Sequence, residues 1–370
     1  MFKNNYYIDN IELFALGAMI GNALFVGVGN TIIVQIAKQN TWIVSLSAMI
    51  IGLILILFLC KIMNYEPNLN IIEKINTLFG KKIGFIINLL LSLLIFLVFV
   101  IVVWQFSIFA NVKYLTETPI IFIAFLFLIP IFYSSTKGIE TISRTTLLLL
   151  YIGILCHIIV TTSLFKFIEI KNIMPIMVEG IKPIIEGILK YFTYCVVPFI
   201  TLLIIPKSKI RNNKYSCLAL ILGYLFASGI MTIVFFMDMS TVGYEITSMY
   251  KYPEYFIMKK VSIGNAIDNV ENFLSVVWIY NLFVCGMMCL HYLKEYVSLL
   301  INKKTLKQQN IISLILSIIV LYLSSKIFIN TTVANDFMKD KYPMLVGLTM
   351  FIIIILIFFK IIFKKNKKIV

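Results

Sequence analysis

Residues 11–37, IELFALGAMIGNALFVGVGNTIIVQIA, constrain this chain more than any other stretch. The segment is long and apolar enough to cross a bilayer, yet Gly17, Gly21, Gly27 and Gly29 interrupt it, and Asn22, Asn30 and Gln35 stand among its apolar residues. A plain membrane anchor needs neither feature. Two readings stand. The glycines either let neighbouring helices approach closely, as small residues do in membrane bundles, or they lower the cost of leaving helical geometry, so that the helix breaks and holds a small solute.

Hydrophobic residues make up 61% of the 370 and charged ones 13%, and the mean hydropathy is +0.98. A chain with so few polar side chains cannot surface a soluble core, so it reads as one polytopic, all-α membrane domain in the lipid bilayer. A net charge of +15 would point to nucleic acid in a soluble chain. Here the cations flank apolar spans, the positive-inside rule accounts for them, and no nucleic-acid partner is expected. Cys60, Cys156, Cys195, Cys217, Cys285 and Cys289 all lie in or beside apolar segments and read as free packing thiols. Cys285 and Cys289 stand one turn apart near His291 without an acidic partner, so neither metal nor cofactor is expected. The opening MFKNNYYIDN carries no signal-peptide cleavage pattern, and the first span is expected to stay attached.

Ten spans are expected, at 11–37, 42–63, 83–110, 119–133, 145–165, 184–205, 215–237, 270–293, 311–329 and 343–363. Residues 64–82 are amphipathic and too short of apolar length to cross, which reads as a surface helix. The sixth span carries Glu186 and Lys190, then Tyr191, Thr193, Tyr194 and Cys195, then Pro198, whose missing N–H bends or breaks a helix. With the N-terminus inside, Lys61, Lys74, Lys81, Lys82, Lys137, Arg144, Lys207, Lys209, Arg211, Lys214 and the C-terminal lysines fall on the cytoplasmic face. Most acids, Asp238 and Glu254 among them, fall on the other, so both termini are expected in the cytoplasm. Ten spans divide into five-helix halves, 1–165 and 166–370. Five is odd, so the halves cross in opposite senses, an inverted repeat. Their first helices, at 11–37 and 184–205, are the most irregular in the chain, and both are expected to be discontinuous. Half-helix ends of this kind suit a small zwitterion, with N–H groups towards a carboxylate and carbonyls towards an ammonium.

Candidate ligand-binding residues are Gly21, Asn22, Gly27 and Gly29 in the first span, Gln105 in the third, Tyr191, Thr193, Tyr194 and Pro198 in the sixth, and Asn281 in the eighth. The sixth-span hydroxyls either face a ligand or satisfy backbone groups freed by Pro198. Trp104 beside Gln105 either floors a pocket or anchors the interface. Asn281 contacts a solute or bonds a neighbouring helix. His157 has no acidic neighbour in its span and reads as a packed neutral imidazole rather than a proton relay. Glu186 and Lys190, spaced i, i+4, either pair on one helix face or gate a vestibule; with Glu271 they are the gating or coupling candidates.

Several segments carry a resemblance, in order along nearly the whole chain: NTWIVSL after the first span, YLTETP at 114–119, KGIETISR at 137–144, NIMPIMVEGIKPIIEGIL at 172–189 and YPEYFIMKKVSIGNAIDNVENFLSVVWI at 252–279. The sequence resembles the spore germination permease family, the membrane-embedded B subunit of germinant receptors, within the amino acid/polyamine/organocation superfamily. The resemblance implies a fold like the sodium-coupled amino acid transporters, with solute held between spans 1, 3, 6 and 8. It also implies a soluble-domain A subunit and a lipoprotein C subunit as partners in the spore inner membrane. Two departures stand out. The family's sixth span carries a Gly-Glu pair where this chain reads Cys195 to Pro198, and an arginine precedes the eighth span where Asn269 stands; Glu271 is retained. On this reading a midspan carboxylate is missing.

No catalytic constellation or nucleotide motif is present, so the chain is not expected to be an enzyme, and any transport would be secondary. The expectation is a membrane subunit that senses a small nutrient, an amino acid, and passes the change to its partners. The alternative is an amino acid or amine symporter coupled to H⁺ or Na⁺, and a purely structural scaffold would leave the paired irregular helices without a purpose. Absence of a titratable group near the site leans towards sensing.

Overall fold

In the computed structural model, which describes residues 7–259, 269–302 and 305–366, the chain forms an all-α bundle. Among the described residues nine helical segments are long and apolar enough to cross a membrane, and the protein is an integral, multi-pass membrane protein. Large apolar side chains on its outer face, such as Ile50, Ile86, Leu148 and Leu189, are exposed, which lipid tails tolerate and water does not.

Helix ends follow local chemistry. The N–H of Asp9 donates to Glu12 Oε2 at 3.0 Å, opening α1 (Asn10–Ala23). The same carboxylate oxygen accepts from Ser143 Oγ at 2.9 Å, which pins α1 to α6 (Ile139–Leu164). After the first break comes α2 (Asn30–Ala37), and a left-handed Lys38 (φ 51°) turns the chain into α3 (Thr41–Asn64). Asn70 and Glu73 exchange side-chain and backbone hydrogen bonds at 3.0 Å to cap α4 (Ile71–Lys113). Gly80 (φ 81°) then splits α4, separating the expected amphipathic stretch from the span. Gly138 (φ 91°) joins α5 (Ile120–Lys137) directly to α6, so the loop expected from 134 to 144 shrinks to one residue.

The sixth span is helical as α7 (Lys182–Cys195) and passes into tighter 3₁₀ winding over Val197–Ile204, around Pro198. Next, α8 (Ser216–Met249) runs well past its expected end near 237 and kinks at Gly243 (φ 75°). The short α9 (Pro253–Met258) follows, then α10 (Glu271–Leu300), α11 (Leu306–Ser324), α12 (Thr331–Asp336) and α13 (Thr349–Asn366), the last two joined by π-type turns.

Packing centres on α1, which lies against α6, α8 and α10. A Cβ on Gly21 would come within 2.8 Å of Ala227 Cβ, and one on Gly17 within 3.5 Å of Gly223 Cα. These two glycines let α1 sit closely on α8. Gly27 does something different. Residues Phe25–Gly29 widen into a π-type turn with Gly27 at φ 68°, so the helix that begins at Asn10 is discontinuous.

Candidate ligand-binding site

The break in the first helix opens onto a cavity in the bundle. Asn22 and Phe25 face it from the first helix, Gly153 and His157 from α6, Phe226 and Met231 from α8, Trp278 and Asn281 from α10, and Glu254 from α9. The walls are largely apolar, with four polar side chains converging, the usual constitution of a small-molecule pocket. Asn22 Oδ1, both ring nitrogens of His157 and Glu254 Oε2 are buried and lack hydrogen-bond partners among the described residues. Buried polar groups in native proteins are nearly always paired, so this concentration marks where a polar ligand or water belongs.

Beside the cavity lies an acidic pair. Asn30, the first residue of α2, donates its Nδ2 to Asp238 Oδ2 at 3.1 Å and also to Glu254 Oε1. Asp238 is 2% exposed and Glu254 8%. The extended α8 carries Asp238 inward, and the turn through Tyr252 tucks α9 back under the helix break. Two carboxylates that share one amide donor repel when both are ionised. Burial, reinforced by the charge of Asp238, holds the Glu254 carboxyl well above its ordinary value. A second, smaller cavity is lined by the same Asp238, Glu254 and His157 together with Met258 and Leu274, so the pair stands between two voids.

Of the ligand-binding residues expected from the sequence, the structure brings Asn22 and Asn281 to the cavity, and His157, Phe25, Trp278 and Glu254 line it with them, with Asn30 and Asp238 beside it. A carboxylate pair is buried in the bundle after all, supplied by α8 and α9 rather than by the sixth span. Gly29 sits behind Phe25 with Tyr194 close by. Tyr191 lies tilted against Phe25, with ring centroids 5.0 Å apart, one layer behind the cavity wall. Tyr194 donates to the Met338 carbonyl at 2.7 Å and stacks on Tyr342, while Thr193 bonds the Leu189 carbonyl at 3.3 Å and faces Gly347. Pro198 is buried at the start of the 3₁₀ segment. Gln105 is buried on α4, and neither amide atom has a partner among the described residues. Lys190 lies 3.9 Å from both Glu186 and Asp340 and donates to the Lys339 carbonyl, tying α7 to the last span. Glu271 is buried at the start of α10, and Asn269 is left-handed (φ 63°) just before it. Trp104 is buried.

Hydropathy does not single out Asp238 and Glu254, because it assigns one to a helix end and the other to a loop. The only available signal was Tyr-Pro-Glu at 252–254, a proline-initiated turn that places an acid in the first turn of a helix.

A family model described as spore germination protein matches residues 10–333. The chain belongs to that family. Of the quoted segments, the one at 252–279 runs partly outside the described residues. Spore germination protein XB of Bacillus anthracis is 30% identical over 46% of this chain and 47% of its own length. In Bacillus subtilis (strain 168), YfkT is 24% identical over 67% of each chain, and spore germination protein YndE 22% over 75% of this chain and 76% of its own. The fold of this spore germination protein is shared with two proteins of known structure. Mhp1, a nucleobase-cation-symport-1 family transporter with bromovinylhydantoin bound, superposes with a TM-score of 0.65 at 16% identity, over 90% of this chain and 75% of Mhp1. MhsT in complex with L-phenylalanine does so with a TM-score of 0.57 at 15% identity, over 92% and 86%.

Proposed function

We propose that this protein is the membrane subunit of a germinant receptor and binds a small nutrient, an amino acid, in the cavity at the break of the first helix. The observation that carries the reading is the set of unsatisfied polar atoms on Asn22, His157 and Glu254, held in an otherwise apolar chamber. An aliphatic or aromatic amino acid matches it: the side chain fills the space among Phe25, Phe226 and Met231, and the ammonium approaches Glu254. Ligand binding there changes how the broken helix packs, and that change passes to soluble A and lipoprotein C partners in the spore inner membrane. The protein performs no catalytic step in this reading.

Ten crossings follow if 10–64 is counted as two, divided at Lys38. The halves 1–165 and 166–370 then form an inverted repeat with both termini in the cytoplasm, and the change of winding after Cys195 is the counterpart of the Phe25–Gly29 break. The fold shared with Mhp1 and MhsT supports this arrangement.

The buried Asp238–Glu254 pair favours a second reading, a symporter of amino acids or amines, because a titratable pair beside the cavity is what proton coupling uses. Proteoliposomes containing the protein alone separate the two. Saturable binding of labelled amino acids without accumulation is the receptor result; accumulation that follows an imposed H⁺ or Na⁺ gradient is the symporter result and contradicts the receptor reading.

A further inference from the structure

At the end of the bundle where α4 terminates, a second cleft is lined by Lys113, Lys251, Tyr252, Tyr255, Lys259 and Thr331. Lys113 Nζ lies 4.5 Å from the Tyr255 ring centroid and 5.6 Å from that of Tyr252. Lys259 Nζ lies 5.5 Å from Tyr255, and Lys251 Nζ 5.0 Å from Trp104 and 5.5 Å from Tyr252. Ring faces from the same few aromatics therefore position three ammonium groups. Among the described residues none of the three forms an ion pair, and Lys251 Nζ is buried without a hydrogen-bond partner. Glu271 acts on Tyr255 and does not line the cleft. Gathering like charges is unfavourable, and cation–π contacts offset it only in part. An anion seated between the lysines would relieve the repulsion and supply the partner that Lys251 lacks.

Tyr252 separates this cleft from the cavity. Its ring packs on Gly27 and lies 5.2 Å from Phe109 and 5.9 Å from Trp278, the latter a cavity residue. We propose that the Lys113–Lys251–Lys259 cleft is a binding site for a small soluble oxyanion, a carboxylate or a phosphate, distinct from the cavity beyond Tyr252. The site does not depend on what the cavity binds.

Equilibrium dialysis of labelled succinate, and separately of labelled inorganic phosphate, against the full chain in phosphatidylcholine nanodiscs tests this. Saturable binding of at least one anion is expected, weakened at least tenfold in Lys251→Gln and in Lys113→Gln, retained in Lys251→Arg, and unchanged in Asn281→Ala. All variants are first checked for a single folded species by size exclusion. No saturable binding of either anion overturns the proposal, as does binding that survives both glutamine variants or is lost in Asn281→Ala, which would put the anion in the cavity. Discs containing phosphatidylglycerol give the remaining arm: unchanged affinity is expected, and competitive loss assigns the cleft to a lipid headgroup and overturns a soluble ligand.

Discussion

The ring of Tyr252 occupies the space that a Cβ on Gly27 would need, and Gly27 is left-handed at φ 68°. Both facts require glycine at the centre of the helix break, one through sterics and one through backbone conformation. Gly27→Ala is therefore expected to destabilise the protein by about 1–2 kcal/mol from the left-handed backbone alone, with the clash adding to it. Thermal unfolding in detergent, followed by fluorescence-detected size exclusion, measures the loss. Tyr252→Ala in the same chain should remove the steric part and restore some of the melting temperature; no recovery in the double variant would show that the contact is not limiting.

Glu254→Gln should leave the protein folded, because replacing a buried carboxylate by its amide keeps the volume and removes the repulsion with Asp238. Ligand binding should nevertheless weaken by roughly tenfold or more, as expected for loss of a charge-assisted hydrogen bond to an ammonium. Asp238→Asn should have a smaller effect on binding, since Asp238 does not line the main cavity. Parallel binding isotherms for the two variants check the order; equal losses would mean that the pair acts as a unit.

Tyr194→Phe removes the 2.7 Å bond to the Met338 carbonyl and keeps the stack on Tyr342. A stability loss of about 1 kcal/mol is expected, with little change in affinity, because Tyr194 braces the last span behind the cavity. A large fall in affinity at unchanged melting temperature would put Tyr194 at the ligand.

Burial pushes the Lys251 ammonium down to about 8 from its ordinary 10.5. The folded state thus disfavours the charged form, so Lys251 costs stability below pH 8, and the cost fades as pH rises from 8 towards 10.5. Among the described residues that line the cleft, the other charged groups are Lys113 and Lys259, and Trp104 and Tyr252 turn ring faces to its Nζ. After reductive ¹³C-methylation, one NMR resonance, absent in Lys251→Gln, should titrate near pH 8. Titration above pH 10 would contradict a buried ammonium there.

How much of this was legible in the sequence depends on the kind of signal. Membrane class comes from apolar run length, which local composition records faithfully. The glycines of the first span announced a departure from simple helix, but only packing distinguishes Gly17 and Gly21, pressed on α8, from Gly27, which forms the break. Asn22 and Asn281 stand out as polar residues inside apolar runs. Asp238 and Glu254 do not, because α8 continues beyond its apolar stretch and the chain then folds back, a tertiary event that no hydropathy window detects. Tyr191 and Tyr194 stood out through proximity to Pro198, yet they point into the aromatic packing behind Phe25 and towards Tyr342.

The most direct test of the central claim is equilibrium binding of a labelled amino acid panel to the purified protein in proteoliposomes, comparing wild type with Asn281→Ala and Glu254→Gln. Saturable binding of at least one apolar-side-chain amino acid is expected, weakened tenfold or more in both variants while each remains monodisperse and well inserted. Undiminished affinity in both variants would contradict a ligand site at the break of the first helix.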